Sequence, residues 1–134
     1  MAAEPVVTTF VHRIRVRYGE CDMQRVVFNA NYLAYCDDAV EQWFADRNVR
    51  VDDVGWDCML KKATIEWQGT ATVHETLDIA VEATRWGNTS FDVTFTGTVD
   101  SRPVFVCVIT YVGVKLGTLE TTPPPEDVKA ALSA

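Results

Sequence analysis

One change of hydrophobic period constrains this sequence more than any other feature. From residue 31 the period-two pattern typical of strands gives way to the i, i+1, i+4, i+7, i+8 spacing of a helix. The opposite face of this segment carries acidic and amide side chains, so we predict one long amphipathic helix, capped by Asn29 or Asn31. The apolar stripe of this helix consists of Tyr32, Leu33, Cys36, Ala39, Val40, Trp43 and Phe44.

The segments on either side of the helix favour strands. The first, Val7 to Tyr18, alternates between an apolar face that ends at Tyr18 and a face of arginines. Turn residues at 87–88 and 100–103 predict antiparallel hairpins, and with the preceding run we expect a four-stranded meander. Its four β-rich runs are Met59 to Gln68, Thr76 to Trp86, Thr89 to Val99 and Val104 to Val114.

These elements predict an α+β fold. We expect an antiparallel sheet of about five strands wrapped around one long helix, with a short proline-led helix at the C-terminus. The whole chain, residues 1–134, is expected to form a single domain.

The run from Val104 to Ile109 does not alternate, which is typical of a strand buried on both faces. One helix covers only one face of a sheet. We therefore expect a second copy of the chain to cover the other face, as in a homodimer.

Composition excludes several classes of function. The 12 basic and 19 acidic residues give a formal charge of −7, which argues against a nucleic-acid partner. The four cysteines lack metal-ligand spacing and are expected to be free thiols in a reducing compartment. We find neither a secretion signal nor a long apolar span, and therefore expect a cytoplasmic protein without a membrane partner.

The chemistry-bearing residues point to a carboxylate. The only histidines are His12 and His74, and no nucleophile-elbow, zinc-binding or phosphate-loop motif is present. Asp22 stands seven residues before Asn29, at the predicted helix start, where unpaired N–H groups can stabilise an oxyanion. On spacing alone, an aspartate in this position is more often a turn former or an electrostatic cap than a catalyst.

Two neighbouring motifs, Tyr18-Gly19-Glu20-Cys21-Asp22 and the segment 26–32 that reads VVFNANY, closely resemble the opening of the 4-hydroxybenzoyl-CoA thioesterase-like family. The segments 63–66 and 87–90 are also similar to that family, and the similarity runs from about Thr9 to Leu132. The resemblance implies a hotdog fold, hydrolysis of acyl-CoA without metal or organic cofactor, and dimers that pair into tetramers with active sites between subunits.

The resemblance also implies roles for individual residues. Asp22 would be the nucleophile or the general base, and the backbone N–H of Asn29 would polarise the thioester carbonyl. Tyr18 would line the acyl pocket, and Asn31 would fix the helix entry.

Other positions carry weaker expectations. Arg25 replaces a glycine that is common in the family, so its side chain would strain the loop, pair with Asp22 or contact an anionic part of the substrate. Arg85 and Ser90 would contact CoA near a hairpin turn. Glu41 is the reserve candidate for the base, on the helix.

Two rival functions use the same fold. The protein would release acyl chains from an acyl carrier protein, or it would bind acyl-CoA without catalysis, as a sensing module. Acyl-chain specificity is left open by the sequence.

Overall fold

The computed structural model describes residues 9–134, in which five strands form one antiparallel sheet with a long helix packed against it. The predicted α+β hotdog arrangement is confirmed, and a four-residue helix adds to it. The strands are β1 (Phe10–Arg15), β2 (Trp56–Trp67), β3 (Thr76–Trp86), β4 (Ser90–Val99) and β5 (Arg102–Lys115), and the helices are α1 (Asn31–Asp46), α2 (Val51–Val54) and α3 (Glu126–Ser133).

Helix α1 buries the stripe that its period predicts. Tyr32, Cys36 and Trp43 are at most 1% exposed and belong to the core that covers the inner face of the sheet. The ring of Tyr32 packs on that of Phe105 in β5, with 5.1 Å between centroids. Full burial of side chains of this size contributes roughly 1.5–3 kcal/mol each, so the helix position is strongly determined.

The predicted asparagine cap is wrong. The residue before the first turn of α1 is Ala30, which offers no side-chain cap, and Asn31 is the first helical residue. The Asn31 side chain instead donates from Nδ2 to the Glu20 carbonyl oxygen at 2.8 Å. A long-range hydrogen bond has therefore taken the side chain that local rules assign to a cap.

The strand order corrects the predicted four-stranded meander. Strands β3, β4 and β5 do follow one another, but the sheet runs β1-β3-β4-β5-β2. Strand β2 pairs antiparallel with β5, and β1 takes the place beside β3. The segment 68–75 is too long for a tight turn and leads the chain across the sheet, which leaves β2 as an edge strand.

Within one chain, β5 is covered on a single face. Phe105, Cys107 and Ile109 point inward and are fully buried, whereas Val106 and Val108 on the outer face are only half-buried. Residues 9–134 of one chain therefore do not by themselves bury both faces of β5, as the sequence leads us to expect. In the part of the chain that the structure describes, no helix is long and apolar enough to cross a membrane.

Gly97 in β4 leaves room for the ring of Phe105 in the neighbouring strand β5. A Cβ there would overlap the Phe105 ring, which itself supports Tyr32 at the start of α1. We expect Gly97→Ala to lower the free energy of unfolding by about 2 kcal/mol through overpacking, measured by urea denaturation. Gly19→Ala is the control, because a Cβ there meets nothing within 4 Å. Equal stability of the two variants would contradict the overpacking.

Candidate active site

A small closed loop carries Asp22 toward the start of α1. After β1 the chain makes a 3-10 turn at Tyr18–Glu20, and Cys21 then forms a bridge with Val27. The Asp22 N–H donates to the Val26 carbonyl at 2.9 Å, which closes the loop between them. The loop is attached to the chain that follows β2, because the Val27 N–H donates to the Ala71 carbonyl at 2.9 Å.

The Asp22 carboxylate is exposed and held from one side. Its Oδ1 accepts the Gln24 backbone N–H at 2.8 Å, the hydrogen bond of an Asx turn. Its other oxygen has no hydrogen-bond partner among residues 9–134. The aspartate therefore forms a turn, as the simpler interpretation predicts, and still presents a free carboxylate oxygen.

The helix start, which follows this loop in the chain, supplies unpaired donors. The Glu20 carbonyl accepts two hydrogen bonds, from the Phe28 N–H at 3.0 Å and from Asn31 Nδ2 at 2.8 Å. The backbone N–H groups of Asn29 and Ala30, in contrast, find no acceptor within residues 9–134. Such N–H groups carry partial positive charge and can bind a developing oxyanion.

A cleft of about 630 Å³ surrounds Asp22. Tyr18, Asp22 and Arg25 all line it, so the structure brings three of the expected site residues together. The Tyr18 side chain is 83% exposed, because β1 ends before it and the ring does not join the apolar face that alternation suggested. Asn31 lines a different cleft, beside Glu20 and Tyr35.

Arg25 has a strained backbone. Its φ of +64° lies in the left-handed region, where a side chain is disfavoured and glycine is not. The strain expected from replacing glycine is therefore present. No ion pair joins Arg25 to Asp22 in the described part of the chain, so the guanidinium is available to another anion.

Arg85 and Ser90 lie away from this cleft, beside the β3–β4 turn. The guanidinium of Arg85 makes two hydrogen bonds to the Asp92 carboxylate, at 2.9 and 3.1 Å, and a third to Ser90 Oγ at 3.2 Å. The hydrogen bond from Arg85, together with one from Thr110, holds the pKa of Asp92 below its usual value despite partial burial. The charge of Arg85 is thus already matched within the chain.

Glu20 is a positioning residue that the sequence did not single out. Burial alone would raise the pKa of its carboxyl, but hydrogen bonds from the Arg17 backbone at 2.8 Å and the Arg17 side chain at 3.2 Å lower it below the usual value. Its carbonyl fastens the loop to the helix, as described above. The only signal in the sequence is its place three residues after Arg17.

A second cleft, of about 640 Å³, lies between α1, residues 49–51 and the beginning of β2. Glu41 lines this cleft and not the one that holds Asp22. Tyr111 of β5 also contributes to its wall, and the Tyr111 hydroxyl is buried without a hydrogen-bond partner in the described structure. Residues 9–134 contain no group of three or more His, Cys, Asp or Glu side chains placed to hold a metal ion.

The strain at Arg25 generates a prediction. We expect Arg25→Gly to raise the free energy of unfolding by roughly 0.5–1 kcal/mol, since relief of the left-handed conformation exceeds the added entropy of the unfolded chain. Thermal unfolding measures this change. Arg25→Ala is the control, because it removes the same charge and keeps a Cβ at the same φ. A gain in the alanine variant as large as in the glycine variant would show that charge, not strain, is responsible.

Comparison with known proteins places this geometry in a family. The model of the Thioesterase-like superfamily matches residues 16–132. The sequence has no significant match among curated proteins.

Solved structures share the fold at low identity. A thioesterase-superfamily protein from Jannaschia sp. CCS1 superposes with a TM-score of 0.88 at 19% identity, over 98% of this chain and 96% of its own. A 1,4-dihydroxy-2-naphthoyl-CoA thioesterase from Synechocystis gives 0.82 at 19%, over 93% and 96%. A gentisyl-coenzyme A thioesterase gives 0.82 at 18%, over 92% and 100%. The family match over residues 16–132 shows that the chain belongs to the Thioesterase-like superfamily, whose activity is the hydrolysis of thioesters.

Proposed function

We propose that this protein hydrolyses acyl-CoA thioesters with Asp22 as the catalytic carboxylate. The observation that carries the proposal is that one short segment bears both a free carboxylate oxygen, at Asp22, and the unpaired N–H groups of Asn29 and Ala30 just before α1. Membership of the Thioesterase-like superfamily supports the reaction class.

The reaction replaces a C–S bond by a C–O bond. Asp22 either takes a proton from the attacking water or attacks the carbonyl itself, to form a mixed anhydride that water then opens. In both routes the carbonyl oxygen becomes negative and is stabilised by the Asn29 N–H. Removal of one such donor typically slows a reaction by about 10²–10³-fold. The products are the free acid and the thiol of CoA.

CoA is the proposed carrier of the acyl group. Two structural neighbours, the 1,4-dihydroxy-2-naphthoyl-CoA thioesterase from Synechocystis and the gentisyl-coenzyme A thioesterase, are named for CoA esters. Arg25, exposed on the cleft beside Asp22 and without an acidic partner in residues 9–134, offers positive charge to an anionic carrier.

Because the cysteines Cys21, Cys36, Cys58 and Cys107 are all free, the enzyme is also proposed to work in the reducing cytoplasm.

The proposed assembly is a homodimer built along the edge strand β2. This strand has 12 residues, pairs with β5 on one side only, and exposes 47% of Met59, 44% of Leu60 and 45% of Trp67. The opposite edge, β1, is half as long and presents arginines. A long edge strand with apolar side chains is a template for pairing with another chain. Half-buried valines on the outer face of β5 favour further pairing of dimers into tetramers.

Pairing of β2 with its symmetry copy would join the two clefts. In an antiparallel pair, the last residues of one β2 lie against the first residues of the other. The Asp22 loop is attached just beyond the end of β2, through Val26–Thr72 and Val27–Ala71 contacts. The beginning of β2 lines the 640 Å³ cleft. Each Asp22 would therefore face the second cleft of the partner protomer.

Asp22→Asn tests the catalytic assignment. The amide oxygen can still accept the Gln24 N–H, so the turn should survive, but the group can no longer act as base or nucleophile. We expect thiol release from acyl-CoA, followed with a thiol-trapping reagent, to fall about 10²–10⁴-fold. Asp52→Asn, at an exposed position on α2, is the matched control and should keep full activity.

The outcomes separate the rival functions. Turnover by Asp22→Asn at the rate of the parent protein would remove Asp22 from the mechanism. Binding of CoA esters without hydrolysis of any of them would indicate a sensing module. Hydrolysis of acyl-carrier-protein thioesters alone would identify a protein carrier.

The two edge strands provide a matched test of the dimer. Met59→Glu introduces a charge on β2, and Val11→Glu introduces the same charge on β1, where Val11 is similarly exposed at 44%. We expect Met59→Glu to shift the protein to monomer mass in light scattering and to abolish hydrolysis, while Val11→Glu changes neither. A parent protein at monomer mass, or dissociation by Val11→Glu alone, would contradict the β2 interface.

A further inference from the structure

The cleft beside Tyr111 has the character of a small-molecule pocket. Its volume of about 640 Å³ falls within the range of about 300–1,000 Å³ that ligand pockets occupy. Its wall includes the apolar side chains Val40 and Phe44 of α1, Val49, and Leu60 of β2. Such a wall suits the hydrocarbon body of an acyl group.

One polar atom in this wall is unusual. Tyr111 is only 4% exposed, and its hydroxyl has no hydrogen-bond partner among the described residues. Buried tyrosine hydroxyls ordinarily have a partner, because an unpaired one loses its hydration without compensation. Of the other two buried tyrosines, Tyr32 accepts the Ala71 N–H at 3.2 Å, whereas the hydroxyl of Tyr35, which does not line this cleft, also lacks a partner. Tyr111 is thus the lining residue of this cleft whose hydroxyl donor no residue among 9–134 uses.

The surroundings of Tyr111 define what it can bind. Burial, together with the nearby Cys58 and Asp37, raises the pKa of Tyr111, so the hydroxyl is a protonated donor at neutral pH. Cys58 and Asp37 line the same cleft as Tyr111 itself. The hydroxyl oxygen is covered, so a ligand would reach it only when side chains of the wall move aside.

The charges around the cleft are mainly negative. Asp37, Glu41 and Asp57 contribute carboxylates, and Arg50 contributes the one positive charge among the lining residues. An acyl group that ends in its own carboxylate would meet net repulsion here. A neutral oxygen would not.

We propose that this cleft holds the acyl group of the substrate, and that the Tyr111 hydroxyl donates a hydrogen bond to an uncharged oxygen on that group, such as a hydroxyl or ketone. This inference rests on the proposed function, since the β2 pairing is what brings the cleft to the Asp22 of the partner protomer. It makes Tyr111 a specificity-determining residue that selects oxygen-bearing, uncharged acyl groups over plain hydrocarbon ones.

Tyr111→Phe tests this proposal, because it removes only the hydroxyl. The probes are hexanoyl-CoA and benzoyl-CoA, each compared with its monohydroxylated isomers, and glutaryl-CoA as the charged probe. We expect the parent protein to prefer a hydroxylated ester over its unsubstituted counterpart by roughly 10-fold or more in kcat/KM, and we expect that ratio to fall to about 1 in Tyr111→Phe. Glutaryl-CoA should be the poorest substrate of the parent.

The ratio between hydroxylated and unsubstituted esters is also measured for binding, as calorimetric Kd values in the Asp22→Asn background. The proposal is therefore tested even if no ester is hydrolysed. No hydrolysis of any ester would overturn the proposed function, whereas the ratio of affinities would still decide the role of Tyr111. Thermal unfolding should show Tyr111→Phe at least as stable as the parent. A preference for unsubstituted esters, a ratio unchanged by Tyr111→Phe, or efficient use of glutaryl-CoA would overturn the assignment.

Discussion

Two hydrogen bonds to the Glu20 carbonyl oxygen hold the Asp22 loop on the start of α1. One comes from the backbone at Phe28 and the other from the Asn31 side chain, so the loop and the first helical turn form one unit. The helix in turn is positioned by its buried stripe, in which Tyr32 contacts Phe105 of the central sheet. The position of the Asp22 loop relative to the helix start therefore depends on packing far from the loop itself.

The local pattern of the sequence was sufficient to predict most elements. The 3.6-residue period identifies α1, and the bounds of β3 agree with the structure to the residue. What the pattern lacks is information on which strands become neighbours. Strand β2 reads as the first member of a meander, yet it pairs with β5, because the long segment that follows it permits a crossing that no local signal specifies.

The candidate site shows the same division between local and distant causes. Asp22 and Arg25 were identified from a motif. The family commonly has glycine at the position of Arg25, which is typical of a left-handed backbone, and Arg25 adopts that conformation. Tyr111 was not identified, because in an apolar run it is indistinguishable from a core residue. Its significance comes from an absence of partners, which depends on the packing of α1, β2 and β5 together.

The open edge of β2 would make the behaviour of this protein in solution depend on its concentration. An edge strand of 12 residues with exposed Met59, Leu60 and Trp67 is a template for pairing with other extended chains, including misfolded copies. In the proposed dimer, association of native protomers would cover that template by mass action, and dilution would expose it again. The folded chain would thus be best protected where its concentration is high. Its β2 edge would be most vulnerable to pairing with other chains during slow refolding at low concentration, when few protomers have associated.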